Sequence, residues 1–185
     1  MLNKAKISEI IRVNHAGEFG ARVIYDGQIA ALKLKKDYET VKLVEEMKAQ
    51  EDAHFDYFNQ EIIAKRVRPT IMQPLWKIGG FGLGFFTAIL DKKAAMCCTV
   101  AVEEVIDEHY QSQIDFIKKE QESSPQNSND EILELQKKIT QFQAEELEHR
   151  DTGYEHKAQD LAYFKPLSFA IKMATKMAIL ISKKI

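Results

Sequence analysis

Two short stretches decide how this chain folds: EEMKAQEDAHFDYF at 45–58 and ITQFQAEELEHRDTG at 139–153. Each contains Glu-x-x-His, as Glu51/His54 in the first and Glu146/His149 in the second. Residues i and i+3 sit one turn apart on a single helix face, since successive residues rotate by about 100°. On that wheel Val44, Met47, Phe55, Phe58 and Ile62 share the face of Glu51 and His54, and Ile139, Phe142 and Gly153 share that of Glu146 and His149. Both polar pairs therefore lie inside apolar stripes, as expected for a buried cluster and not for a solvated surface pair.

Each of these helices is preceded by another that repeats. Glu18, Tyr25, Gln28 and Ile29 recur in the same order and spacing as Glu103, Tyr110, Gln113 and Ile114. Glu18 shares a face with Ile11, Ala21, Tyr25 and Leu32, and Glu103 with Met96, Thr99, Ile106, Tyr110 and Ile117. The second hairpin is longer, and the polar run SSPQNSND at 123–130 accounts for the difference as a loop. The chain reads as one domain, 1–185, built from two helical hairpins at roughly 7–65 and 91–158, each supplying a Glu and a Glu-x-x-His.

The rest of the sequence agrees with an all-α class. Its 185 residues are 45% apolar and 29% charged, which excludes both a disordered tail and a polytopic membrane protein. Eight Gly, four Pro and no run of strand alternation disfavour a sandwich or barrel. Helical patterns cover 7–35, 39–64, 91–122, 131–158 and, after Pro166, 166–184. Pro69 breaks the second of these from the apolar segment 71–90. The uninterrupted apolar part of that segment, 78–90, is too short for the roughly 20 residues a spanning helix needs. With four glycines it reads as interfacial or re-entrant, the alternative being a buried hairpin. Cys97 and Cys98 are adjacent and form no disulfide framework, which suits a reducing compartment. Residues 161–185 carry five lysines and no acid, so the net charge of −2 hides an acidic body and a basic, apolar tail. That asymmetry argues against nucleic acid and for an anionic membrane surface. In the last helix Lys172, Lys176 and Lys183 share one face, opposite Met173, Met177 and Ile181, the pattern of a helix lying on lipid.

Four carboxylates in converging apolar stripes cannot be buried uncompensated. Arg22 or Arg150 could compensate them within a purely polar core. Two divalent cations do so more completely, with two neutral imidazoles filling out six protein ligands. This is the ligand set of ferritin-like di-metal bundles: one Glu from each of two helices and Glu-x-x-His from each of the other two. Glu104 is an alternative to Glu103 but lies off the stripe, and Glu145 an alternative to Glu146 at i−4 from His149. His15 and His109 flank the cluster as pocket candidates or ordinary polar residues, and His156 as an outer or surface group. Tyr25 and Tyr110 carry electrons, line a pocket or pack. The oxygen-rich set suits Fe or Mn over Zn. Spacing leaves monooxygenation, desaturation, ferroxidation and peroxide reduction open. Two membrane-facing segments beside an O2-activating site point to a hydrophobic substrate drawn from the bilayer.

The motifs RVNHAGEFGA and IYDGQ (12–28), QEDAH (50–54), RVRPT and PLW (66–76), CTVAVEEVIDEHY (98–110) and EELEHRDTGYEH (145–156) closely resemble the demethoxyubiquinone hydroxylases of ubiquinone biosynthesis. The resemblance spans nearly the whole chain. It implies a peripheral membrane protein with a ferritin-like four-helix bundle and two additional membrane-facing helical segments. It also implies two Fe ions per chain, and hydroxylation of the demethoxyubiquinol ring with O2. By position the family's ligands fall on Glu18, Glu51, His54, Glu103, Glu146 and His149, with no catalytic group beyond them. The implied partners are a long-tailed quinol, O2, an anionic membrane surface, and either a second copy or another ubiquinone-biosynthesis protein. Electrons come from a nicotinamide or the quinol, and no Gly-x-Gly-x-x-Gly is present. Phe19 stands where many members have Tyr. The N-terminus shows no signal peptide or presequence, which points to the cytoplasmic face of a bacterial plasma membrane. The alternative is a ferritin-like di-iron peroxidase or iron-binding protein without quinone chemistry.

Overall fold

The computed structural model describes residues 4–123 and 130–184. Six α-helices account for most of them: α1 (Lys4–Leu34), α2 (Tyr38–Ala64), α3 (Gln73–Leu90), α4 (Lys92–Ser123), α5 (Asp130–Glu155) and α6 (Phe164–Lys184), with a 3-10 turn at Ala158–Asp160. No strand occurs among the described residues. This is the all-α architecture that the apolar period predicts, with α1, α2, α4 and α5 as a ferritin-like bundle. The loop expected at 123–130 lies, from 124 to 129, outside the described residues.

Local chemistry sets the helix ends. Lys36 takes a φ of 59°, and the Asp37 N–H reaches back to the Leu32 carbonyl at 3.1 Å, which closes α1. Asp37 then caps α2 by accepting from the Thr40 N–H at 3.2 Å. α2 closes in the same way, with Arg66 at a φ of 52° and the Val67 N–H on the Ile62 carbonyl at 2.9 Å. α1 packs along α2 and α3, α4 along α5, and α6 against α4 and α1. Backbones approach less closely between α1 and α4 and between α2 and α5 than within the α1–α2 and α4–α5 pairs. Into that space point Tyr25, Val44, Phe58, Met96, Tyr110 and Ile139, all buried, while Ile29 and Phe55 on the same stripes are half-buried.

From Gln73 to Leu90 segment 71–90 is one continuous helix, neither re-entrant nor a hairpin. Pro74 sits in its first turn, where no backbone N–H is needed. Two of the four glycines that lower its helix propensity, Gly80 and Gly84, face α1. A Cβ on Gly84 would stand 1.9 Å from the Ile24 carbonyl oxygen, and one on Gly27 would stand 2.2 Å from that of Phe81. Only Gly84, Thr87 and Ala88 of α3 are fully buried, leaving Ile78, Phe86 and Leu90 on the outside. No described helix is long and apolar enough to cross a membrane.

The last helix keeps the expected two faces, but two of its lysines find partners within the protein. Lys172 pairs with Glu104 at 2.5 Å and Lys176 with Glu108 at 2.7 Å, both on α4. Two of the three stripe lysines thus turn toward the acidic body, whose carboxylates attract them. The opposite stripe, with Phe169, Met173, Met177 and Leu180, is exposed.

Backbone contact at Gly84 yields a stability test. Gly84→Ala should lower stability by about 1–3 kcal/mol, the usual cost of overpacking, because carbonyl oxygen cannot move aside as a side chain can. Gly79→Ala meets nothing within 4 Å and should gain roughly 0.5–1 kcal/mol from helix propensity. Denaturant unfolding that moved both variants in the same direction would refute this account of the α1–α3 contact.

Candidate metal centre

Each bundle helix delivers its part of one cluster: Glu18 from α1, Glu51 and His54 from α2, Glu103 from α4, and Glu146 and His149 from α5. None is more than 3% exposed. Ligand atoms of Glu18, Glu51, His54 and Glu146 all lie within 4.8 Å of one another, and so do those of Glu51, Glu103, Glu146 and His149. Glu51 and Glu146 belong to both groups. The His54 Nδ1 is 3.2 Å from Glu146 Oε1 and 3.5 Å from Glu18 Oε2. The His149 Nδ1 is 3.1 Å from Glu51 Oε1 and 3.2 Å from Glu146 Oε2. Both imidazoles therefore aim Nδ1 inward.

Their outer nitrogens are engaged across the bundle. The His54 Nε2 meets Glu145 Oε2 at 2.5 Å, and the His149 Nε2 meets Gln50 Oε1 at 2.5 Å. Sequence reasoning considered Glu145 only as a partner of His149 on its own helix and did not single out Gln50. A signal existed, because both residues immediately precede the Glu of a Glu-x-x-His. The pairing itself runs between hairpins, which spacing along one helix cannot report. The tyrosines cross in the same manner. The Tyr25 hydroxyl donates to Glu103 Oε1 at 2.9 Å, and the Tyr110 hydroxyl donates to Glu18.

Arginine does not neutralise this charge. Arg22 pairs with Asp52 at 2.5 Å and lies over the Phe55 ring, and Arg150 pairs with Asp151. Glu104 is bound by Tyr154 and Lys172, away from the cluster, which favours Glu103 as the inward residue. Burial, with Glu146 and Glu18 nearby, pushes the Glu51 carboxyl well above the carboxylate range. Burial and Glu146 do the same to Glu103. Burial would also raise Glu146, but hydrogen bonds from His149 and His54 outweigh it and hold this group at about 2. His54 is pushed up to about 12, as bonds to Glu146 and Glu18 outweigh its burial. Left to protons alone, the site must hold acids and imidazolium together.

Neither oxygen of Glu51 and not Glu103 Oε2 has a hydrogen bond, although His149 Nδ1 stands near Glu51 Oε1 outside bonding geometry. Bare buried carboxylate oxygens are costly unless a cation takes them. Four carboxylates and two inward imidazole nitrogens fit a pair of divalent iron or manganese ions.

The remaining histidines stand elsewhere. His15 packs on the Phe55 ring at 4.8 Å between centroids. His109 accepts from Gln113 Nε2 at 2.7 Å, and Gln113 exchanges amide bonds with Asn14 at 2.7 and 2.9 Å. His156 is half-buried just past the end of α5.

A family model described as "Ubiquinone biosynthesis protein COQ7" matches residues 5–182. A Dictyostelium discoideum protein named NADPH-dependent 3-demethoxyubiquinone 3-hydroxylase, mitochondrial, is 44% identical over 184 residues, covering 100% of this chain and 80% of its own length. The 3-demethoxyubiquinol 3-hydroxylase of Rhodospirillum rubrum is 42% identical over 181 residues, 98% of this chain and 79% of that protein. A human protein with the same name as the Dictyostelium one is 41% identical over 184 residues, 100% of this chain and 80% of that protein.

His109 predicts a pH dependence of stability apart from the cluster. Burial, then Lys183 and Lys6, hold it down at about 4. An unfolded histidine titrates near 6.5, so below that pH the unfolded chain takes up a proton the folded one refuses. Stability from this group is thus complete above about pH 6.5 and falls by up to about 3 kcal/mol as pH drops to 4, with no further loss below. His109→Gln should flatten that part of the curve. Equal slopes for wild type and variant in urea unfolding between pH 7 and 4.5 would contradict the assignment.

Proposed function

Because this chain belongs to the COQ7 family of ubiquinone biosynthesis proteins, we propose that it hydroxylates the ring of demethoxyubiquinol with O2 at a di-iron centre. The proposed ligands are Glu18, Glu51, His54, Glu103, Glu146 and His149, with Glu51 and Glu146 shared between the two metal positions. The single domain made of a doubled hairpin is part of the same reading, and the reciprocal Tyr25–Glu103 and Tyr110–Glu18 bonds support it.

The observation that carries the reading is a cavity of about 310 Å³ enclosed by α1, α3, α4 and α6. Its walls are almost wholly apolar and hold Gly17 and Ala21, on either side of Glu18, and Val102, next to Glu103. Gly20, Gly80 and Ala178 leave the space free. Gly79 and Ala174, which line the mouth, are exposed. The volume lies in the range of small-molecule sites. None of the six cluster residues lines this space; a ring entering between α3 and α6 would lie against Gly17 and Val102, the chain neighbours of Glu18 and Glu103, while its tail stays outside.

Bound iron supplies the activation of O2 that ring hydroxylation needs. The chain's own residues do the rest. Tyr25 and Tyr110 fix the outer carboxylates by donating hydrogen bonds, and the apolar walls keep water from the ring and hold it in place. The exposed stripes of α3 and α6, joined where Trp76 Nε1 donates to Ser182 Oγ at 3.2 Å, form one surface around the mouth. We place that surface on lipid, as a peripheral membrane protein at the cytoplasmic face of a bacterial plasma membrane.

Purified protein given Fe(II), a reductant, labelled O2 and a demethoxyquinol should place one labelled oxygen on the ring. Glu51→Ala or Glu146→Ala should bring bound iron below two per chain and abolish product. A short-tailed quinol should still react, with a higher apparent KM from lost binding. Consumption of O2 with no labelled quinol would instead assign the site to peroxide or iron scavenging.

Membrane docking is tested apart from chemistry. With two lysines paired to α4, insertion of the apolar stripe dominates over charge. Phe169→Glu with Met177→Glu should lower vesicle co-flotation at least about tenfold, each buried apolar side chain being worth about 1.5–3 kcal/mol. Lys172→Gln with Lys176→Gln should leave flotation nearly unchanged. The reverse order would place the lipid contact on the lysine face.

A further inference from the structure

We propose that Glu145 and Gln50 are positioning residues that make the two metal positions unequal. Glu145 makes His54 the stronger donor, and Gln50 leaves His149 the weaker. This rests on the di-metal reading above and adds an order of binding that the ligand set alone does not contain.

The two histidines are otherwise matched. Each follows a Glu by three residues, is almost fully buried, and turns Nδ1 toward the shared Glu51 and Glu146. Each ring is held by an aromatic neighbour: His54 lies against Phe142 at 4.1 Å, and His149 stands edge-on to Tyr25 at 6.2 Å. They differ in what accepts the outer N–H. For His54 the acceptor is the Glu145 carboxylate, whose other oxygen is fixed by Gln141 Nε2 at 2.9 Å. For His149 it is the neutral amide oxygen of Gln50 at the same 2.5 Å. With Nε2–H donated outward, the Nδ1 lone pair faces the cluster in both rings.

A carboxylate acceptor draws on the N–H about twice as strongly as a neutral one, which raises the electron density at the opposite nitrogen. It also adds a negative charge near one cation and not the other. The position served by Glu18 and His54 is therefore the tighter, and that served by Glu103 and His149 the weaker. Across the repeat, the residue before each Glu-x-x-His glutamate sets the donor strength of the other hairpin's histidine.

Co(II) alone is the probe, followed through its visible absorption, so the readout does not depend on turnover. Wild type should bind two Co(II) per chain in two resolved steps. Glu145→Gln should weaken the tighter step by about 10–100-fold, the usual effect of losing such an outer partner, and leave the weaker step in place. Gln50→Glu should tighten the weaker step and bring the two together. A packing role predicts loss in both variants and gain in neither, so the gain in Gln50→Glu decides the matter even where Glu145→Gln folds poorly. Two Co(II) bound with unchanged steps in both variants, or weakening in both, would overturn the positioning role and leave the di-metal reading standing. Fewer than two Co(II) in wild type would overturn both.

Discussion

Mutual repulsion among Glu18, Glu51, Glu103 and Glu146, shut into one apolar core, is the constraint the other features answer. Each carboxylate loses its hydration on burial, and bringing them within a few ångströms of one another adds to that cost. The bundle meets the demand with position. Four long helices from two hairpins bring one carboxylate each to a common level, and the hairpins pack less closely on each other than the helices within each hairpin do. Two imidazoles aim their free nitrogens into it, and two tyrosines brace the outer glutamates from the opposite hairpin. What is left unbonded, chiefly the oxygens of Glu51, is what a pair of cations would take.

In the proposed reading an apolar substrate approaches this closed site from the side framed by α3 and α6. They lie outside the bundle, and small residues on α1 and α3 do two jobs. Gly84 and Gly27 allow α3 to touch α1 backbone to backbone, while Gly17, Gly20 and Gly80 leave a cavity among α1, α3, α4 and α6. Helices α3 and α6 keep Ile78, Phe86, Phe169 and Met177 exposed, an arrangement unfavourable in water and suited to a lipid surface. The ion pairs from Lys172 and Lys176 to α4 set the rotation of α6 that leaves its apolar stripe outward.

Much of this was legible before any fold was known, for a specific reason. Helix periodicity is local, so the wheel positions of Glu18, Glu51, Glu103 and Glu146 follow from residue order, and the repeat of Glu-Tyr-Gln-Ile ties the helices into pairs. The preference for Glu103 over Glu104 was legible in the same way, and Glu104 indeed turns to Tyr154 and Lys172. The course of 71–90 was not. Four glycines weaken a helix in isolation, and only the backbone of α1 against Gly84 turns them to advantage. The partners of the lysine stripe of 166–184 were not legible either. Its amphipathic pattern is a property of α6, but which side faces inward depends on the charges of α4.

The amino-acid order by itself determined the helical class, the doubled Glu and Glu-x-x-His pattern, and the requirement that six polar side chains share one core, because these depend on contacts and rotations within a helix. Tertiary structure alone decided which groups meet across helices. It joined His54 to Glu145 and His149 to Gln50, crossed Tyr25 and Tyr110 onto the other hairpin's glutamates, opened the cavity among α1, α3, α4 and α6, and turned the apolar side of α6 outward. Each of these depends on the distance and rotation between separate helices, which the packing of the whole core sets and no single segment encodes.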